Sequence, residues 1–309
     1  MTELSKKILE NYQVRKTKAQ KLEFEQLLKD NGVDFFVVEG GFLKSRNLVV
    51  GNPKTAKVLL TAHYDTCARL PVPNLIFPNN LILTFLYGLV FGIPVFIGMF
   101  LTDRLIIHLF KIGVMSAFIS DILLMTTPLL WLFLLFFMLM GPIQNKHTAN
   151  DNTSGVITLL EIMNKMDEAT REKTAFVFFD NEENGLLGSG YYRKVYNRET
   201  ANQLVINFDC VSDGDNIMVI YNKGAEKFLG KLMFKEKEGK NVLIEKSSRA
   251  FYPSDQFGFR QGVAVAALNK SALGLYIGRI HTNRDVVFDE SNIEYITSEF
   301  KDIVASIVN

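Results

Sequence analysis

Five short stretches of this chain gather the side-chain types that hold metal ions or move protons. "LLTAHYDT" sets His63 and Asp65 two residues apart. In an extended segment both point to the same face, so the carboxylate can orient the ring. "HTANDNTSG" carries Asp151 just ahead of a helix-periodic run, and "FFDNEENGLLGSGYY" has Glu182 and Glu183 side by side. Adjacent carboxylates in an irregular loop point apart, which suits one metal ligand and one general base. "INFDCVSDGD" ends an apolar run on Asp209, and "GRIHTNRD" offers His281. Singly these are ordinary: a strand His is usually packed in the core, paired glutamates usually sit at a solvated corner, and an Asp before a helix is usually a cap. Together, two imidazoles and several carboxylates at strand ends form the ligand set of a two-metal hydrolase.

The intervening segments supply elements to position them. "VDFFVVEGG", "NLVVGNP" and "KVLLTAHYD" read as strands bounded by Gly and Asn. From Thr153 onward helices alternate with strands: helical "SGVITLLEIMNKMDEA", strand "KTAFVFFD", helical "GLLGSGYYRKVY", strands "QLVINFD" and "NIMVIY". A helix over "AEKFLGKLMFKEKEG", a strand "VAVAALNK" and a closing helix "ESNIEYITSEFKDIVASIV" complete the pattern. Near-continuously apolar strands between helices predict an α/β sheet covered on both faces, with ligands gathered where the carboxyl ends of the strands open. The first thirty-two residues read as an amphipathic helix covering the sheet, with no apolar stretch of the secretory kind.

Charge excludes one class of partner. Thirty-four basic residues balance thirty-three acidic ones among 309, so there is no basic surplus for nucleic acid. Cys67 and Cys210 are the two cysteines, too few for a disulfide scaffold, and they read as free thiols in a reducing compartment.

The apolar residues are unevenly spread. Leu81 to Leu101 and Ile122 to Met140 are uncharged runs of twenty-one and nineteen residues. At a rise of about 1.5 Å per residue each can cross roughly 30 Å of hydrocarbon. Between them, the Arg104 to Asp121 stretch reads as an interfacial helix or part of a third crossing.

The stretches "AHYDT", "ANDNTSGV", "FVFFDNEENGLLGS", "INFD", "PSDQFGF" and "IHTNRD" occur in an order that resembles the di-zinc aminopeptidases of the bacterial leucyl aminopeptidase type, metallopeptidase family twenty-eight. The resemblance covers roughly residues 30 to 70 and 145 to 309. It implies a three-layer αβα zinc-peptidase domain with a mixed, mostly parallel central sheet, formed discontinuously by residues 1–74 and 141–309 around a hydrophobic helical hairpin insertion at 75–140. It also implies two zinc ions, or other divalent metals. His63 and Asp209 are the expected ligands of one, Glu183 and His281 of the other, with Asp151 bridging both. Asp65 is expected to hydrogen-bond the His63 imidazole, and Glu182 to act as the general base that passes a proton from water to the leaving amine. "AFYPSDQFGF" matches a pocket-lining loop, which makes Tyr252 and Asp255 the substrate-binding candidates. Two positions depart from the pattern: Gln256 stands where the family often has His, and Thr148 precedes Ala149 where glycine is usual. Cys67 and Cys210 read as packing behind the ligands.

The expected function is thus metal-dependent removal of N-terminal residues from a peptide or protein. Alternatives are a carboxypeptidase or glutaminyl-cyclase-like activity, or a catalytically silent membrane scaffold. If His63 and Asp151 share one centre, both ends of the insertion lie on one side of the bilayer, and an even number of crossings within residues 81–140 follows. About eighty signal-free residues ahead of the first apolar run favour a cytoplasmic peptidase domain on a membrane anchor. Arg69 and Lys146 against Arg104 and Lys111 do not decide the orientation, and the oligomeric state is not legible.

Overall fold

The computed structural model describes residues 1–141 and 143–309. In chain order they form α1 (Glu3–Asn11), α2 (Lys18–Asp30), β1 (Phe36–Gly40), β2 (Ser45–Val50), β3 (Val58–His63), α3 (Leu81–Lys111) and α4 (Ala117–Met140). There follow α5 (Gly155–Lys165), α6 (Glu168–Arg171), β4 (Thr174–Phe179), α7 (Leu187–Val195), α8 (Asn197–Thr200), β5 (Leu204–Phe208) and β6 (Asn216–Tyr221). The chain ends with β7 (Asn241–Lys246), β8 (Gly262–Ser271), β9 (Gly274–Tyr276) and α9 (Glu290–Val308). The strands lie in the order β1-β2-β4-β3-β5-β8-β6-β7, with β9 beside β8. Strands β4, β3, β5 and β8 are mutually parallel at the centre; β1 and β2 run against their neighbours, and β6 runs against β8 but parallel to β7.

Strand parity explains why the central strands read as unbroken apolar runs. Val58, Leu60 and Ala62 of β3, Phe176 and Phe178 of β4, and Ile206 and Phe208 of β5 enter one core with Phe24, Leu28, Val156, Leu159 and Phe300. Leu59, Val177, Phe179 and Val205 enter a second core with Tyr192 and Phe259. Both faces are therefore buried, as parallel strands under crossover helices require. The mixed αβα fold expected from the sequence is the fold observed.

Two local expectations are corrected. The N-terminal segment is two helices rather than one, because Arg15 interrupts it. That side chain is fully buried. Its guanidinium donates to the carbonyls of Tyr12 and Tyr64 and to the Thr153 hydroxyl. Thr17 then restarts the helix with a reciprocal capping box to Gln20. The helix expected from Ala225 to Gly239 is instead a short 3-10 turn, Lys223–Lys231. Beyond it the backbone is claimed by α9: Lys235 N donates to Glu299 Oε2 at 2.7 Å, and Tyr295 Oη to the Lys235 carbonyl at 2.8 Å. Tertiary hydrogen bonds here override a composition rich in helix formers, since local propensity is only a weak prior.

Two compact units divide the chain, one of Met1–Leu81 with Gln144–Asn309 and one of Ile82–Ile143. In the second, α3 and α4 form the hairpin, joined by Ile112 to Ser116. The Arg104 to Asp121 stretch is no separate element: it is the end of α3, the turn and the start of α4. Gly98 lies under the Trp131 ring, where a Cβ would approach the indole to 2.3 Å. Trp131 Nε1 donates to Thr102 Oγ1 at 3.3 Å across the pair. Thr102, Thr126 and Thr127 return their hydroxyls to carbonyls of their own helices, satisfying polar groups internally as hydrocarbon demands. Both helices are long and apolar enough to cross a membrane. Their most apolar windows are 0% and 6% buried, unlike the core helix of a soluble protein.

Candidate metal centre

Strands β3, β4 and β5 are parallel and adjacent, so their carboxyl ends open on one edge of the sheet. His63 is the last residue of β3, Glu182 and Glu183 follow β4, and Asp209 follows β5 immediately. Asp151 enters from the segment ahead of α5, and His281 from the loop after β9. Five elements distant in sequence thus deliver the predicted residues to one place.

The distances describe two positions that share a carboxylate. His63 Nε2 lies 3.5 Å from Asp151 Oδ1 and 3.5 Å from Asp209 Oδ1. His281 Nε2 lies 3.2 Å from Asp151 Oδ2 and 3.5 Å from Glu183 Oε2. The two oxygens of Asp151 therefore face different imidazoles. Most of these separations are long for hydrogen bonds. They match ligand-to-ligand spacing around a cation: with bonds of about 2.0–2.2 Å and tetrahedral angles, neighbouring ligand atoms sit roughly 3.4 Å apart. Glu183 Oε1 is buried with no hydrogen-bond partner among the described residues, a costly arrangement unless a cation or water satisfies it. The donor set, imidazole nitrogens and carboxylate oxygens, fits divalent transition metals such as zinc.

Asp65 acts on the site mainly through backbone. Its carboxylate accepts from Glu182 N at 3.0 Å and Glu183 N at 3.2 Å. The His63 ring meets it twice: Nδ1 is 3.0 Å from the Asp65 carbonyl and 3.6 Å from Oδ1. One carboxylate thereby sets the stance of both glutamates and lies against the imidazole.

Three supporting residues escaped sequence reasoning. Asp285 accepts from Asn150 N at 2.8 Å and Asp151 N at 3.1 Å, tying the Asp151 loop to the His281 loop. Burial, then the nearby Asp151 charge, pushes the Asp285 carboxyl up to about 8 against those two N–H groups. Asn152 donates to the Phe208 carbonyl at 3.0 Å and accepts from Gly155 N at 3.0 Å and Cys210 N at 3.3 Å. It fastens the end of β5 to the start of α5. Arg15 is the third, holding Tyr64 and Thr153 from below, with burial bringing its guanidinium down to about 10. Cys67, which reads from the sequence as packing, lies close to the site as well: its sulfur and ligand atoms of Asp151, Glu183 and His281 all lie within 4.8 Å of one another.

The electrostatics are those of clustered carboxylates. Burial, reinforced by Glu183, Asp255 and Asp209 against His63, raises the Glu182 carboxyl well above the ordinary carboxylate range. Glu183 is raised in the same way, by burial and then Asp151. Burial disfavours the charged His63 ring, yet Glu182, Asp151, Asp209 and Asp65 together hold it well above its usual value. A site that resists its own negative charge is one that gains from bound cations.

The substrate-side candidates are close by. Asp255 is buried, and burial moves its carboxyl up to about 7, opposed by His63 and the Ser189 hydroxyl. It lines a cavity of about 630 Å³ with Leu186, Ser189, Tyr191, Arg193 and Phe257. The Tyr252 hydroxyl donates to the Asp209 carbonyl at 3.4 Å, so it stands behind that carboxylate. Gln256 bridges Asn207 and the Tyr252 carbonyl, a bracketing role that a His would fill differently.

Known proteins similar to this chain share its fold and family. A probable leucine aminopeptidase 2 of Aspergillus oryzae is 28% identical over 153 residues, 46% of this chain. That match spans 29% of the fungal protein's length. The fold is similar to that of the Legionella pneumophila LapA aminopeptidase, with a TM-score of 0.53 at 13% identity over 99% of this chain and 69% of that one. A Macrostomum lignano glutaminyl cyclase shares it, with a TM-score of 0.52 at 12% identity over 99% and 88% of the two chains. The sequence signature of Peptidase family M28 matches residues 138–304, more than half of the chain, and the chain belongs to that family.

Proposed function

We propose that this protein is a two-zinc aminopeptidase anchored to a membrane by its helical hairpin. The observation that carries the reading is the shared carboxylate: Asp151 faces His63 with one oxygen and His281 with the other. His63, Asp209 and Asp151 would hold one cation, and Glu183, His281 and Asp151 the second. Cations held there would polarise the scissile carbonyl and lower the pKa of water. Glu182, free of the ligand pairs, takes the proton from water and delivers it to the leaving amine. Asp65 keeps Glu182 in place through its backbone N–H. The substrate is the N-terminus of a peptide or protein, with Asp255 on the side of the cavity and Tyr252 supporting Asp209 from behind. No serine or cysteine nucleophile is needed for this chemistry.

A carboxypeptidase or a glutaminyl-cyclase-like enzyme is the alternative within the fold, and a silent scaffold the alternative outside catalysis. Metal content and turnover separate them. The purified protein should hold about two zinc per chain, lose aminopeptidase activity to a chelator and regain it on zinc addition. One zinc with cyclisation of N-terminal glutamine would favour the cyclase; no metal and no turnover would favour the scaffold.

The hairpin reading concerns localisation. Two crossings return the chain to the side it left, so the peptidase unit stays whole on one face, which we take as cytoplasmic. The support is composition, length and exposure of α3 and α4. After alkaline carbonate washing the protein should stay in the membrane pellet; its recovery in the supernatant would remove the anchor from the reading.

A further inference from the structure

Cys67 reads from the sequence as a packing residue, and the backbone around it fixes where its side chain lies. The segment after β3 is stitched down on both sides. The Cys67 carbonyl accepts from Asn145 N at 3.3 Å, and Leu70 N donates to the His281 carbonyl at 2.7 Å. Ala68 also bridges to Gln144. The stitching fixes Cys67 beside the His281 loop, with its side chain fully buried. From there Sγ joins Asp151, Glu183 and His281 in a group whose ligand atoms all lie within 4.8 Å of one another. Four atoms so spaced have a common point at most about 2.9 Å from each, no more than roughly 0.6–0.9 Å beyond bonds of about 2.3 Å to sulfur and 2.0–2.2 Å to nitrogen and oxygen, so a small inward shift of the side chains closes the shell.

A second observation points to a ligand at that spot. The Glu183 side chain is 8% exposed, and its Oε1 has no hydrogen-bond partner among the described residues. The sulfur also receives a contact from Asn145 Nδ2 at 3.7 Å, and that amide is anchored on the Thr282 carbonyl at 2.9 Å. An N–H group directed at sulfur from outside is how proteins orient and tune a metal thiolate.

We propose that Cys67 is a thiolate ligand of the cation held by Glu183 and His281, which makes the two metal positions chemically unlike. The position shared by His63 and Asp209 offers nitrogen and oxygen alone. The other offers sulfur as well and prefers softer, thiophilic cations. On coordination the thiol proton leaves to solvent and the sulfur lone pair binds the cation, with no change of oxidation state. The inference rests on the two-metal reading above and adds a ligand to it.

Cobalt(II) substitution of the purified full-length protein reads this without any turnover. A near-ultraviolet sulfur-to-cobalt charge-transfer band should grow with one of two cobalt equivalents. Cys67→Ala should lose the band and weaken that equivalent by at least the roughly tenfold that even an outer partner's loss costs. Cys67→Ser should lose the band as well, and Cys210→Ala should keep it. Two bound cobalt ions without the band would overturn the thiolate and leave the metallopeptidase intact. A band that survives in Cys67→Ala, or an unchanged second affinity, would overturn it equally. Failure of the wild type to bind cobalt or zinc at all would overturn both readings together.

Discussion

Glu182→Gln is expected to lower kcat by about 10²–10⁴-fold, the usual worth of a positioned general base, while leaving metal content unchanged. The reason is positional. Glu183, Asp209, His63 and His281 pair with one another or with Asp151 at 3.2–3.5 Å, whereas Glu182 is in none of these pairs. It still lies close to His63 and Glu183, with ligand-type atoms of the three within 4.8 Å of one another, so a water at the proposed centre would be within its reach. Atomic absorption on the variant separates base from ligand: a loss of metal alongside activity would make Glu182 a ligand and leave the base unassigned. The pH profile gives a second readout. A base works only when deprotonated, so wild-type kcat/KM should fall on the acid side as Glu182 takes up its proton, and the residual rate of the Gln variant should lack that limb. The metal-free protein supplies the sign of the stability effect. Burial raises the folded-state pKa of Glu182 above its unfolded value, so the folded state binds its proton more tightly. That contribution is present at low pH and lost as pH rises from the unfolded toward the folded pKa. Metal-free Glu182→Gln should therefore melt higher than metal-free wild type at neutral pH.

How much of this was legible beforehand follows from where the information lies. His63, Glu183 and Asp209 sit in short motifs at strand ends, which can be read from local apolar runs, while Asp151 lies just ahead of α5 and His281 in the loop after β9. The alternation of helices with buried strands likewise carries the αβα fold. What was not legible depends on partners far along the chain. Arg15 lies in "QVRKTK", inside the segment that reads as one continuous amphipathic helix. It is buried because Tyr64 and Thr153, roughly fifty and 138 residues away, offer it acceptors. The Lys223–Lys231 turn stops short because Glu299 and Tyr295 compete for Lys235. β7 was missed since its exposed edge lacks the apolar alternation that marks a strand. Asp285 and Cys67 fall within or beside recognised motifs, yet nothing local reveals that one grips the Asp151 backbone and the other reaches the Glu183 pocket.

Asp151→Asn is expected to empty at least one metal position, with activity falling along with the metal. Asn preserves shape, so the Asp151 N–H should keep its bond to Asp285 Oδ2 and the loop its course. What it removes is one of two anionic oxygens, each now 3.2–3.5 Å from a different imidazole. An amide can lend one oxygen to one cation, and its NH₂ group faces the other as a donor. The two cations also lose the shared negative charge that offsets their mutual repulsion. The affinity loss should exceed the about 10–100-fold typical of removing an outer-shell partner, and zinc titration by calorimetry would measure it. Retention of two zinc ions at wild-type affinity would show that Asp151 bridges nothing. In the metal-free state a second signature is available. Asp151 is among the carboxylates that raise His63, so the ring should titrate at lower pH in the variant. A raised imidazole contributes stability that is complete below its unfolded pKa and is lost as pH rises through its folded pKa. Asp151→Asn should shorten that window from its alkaline end, and NMR of the imidazole resonance reports the shift independently of any bound metal.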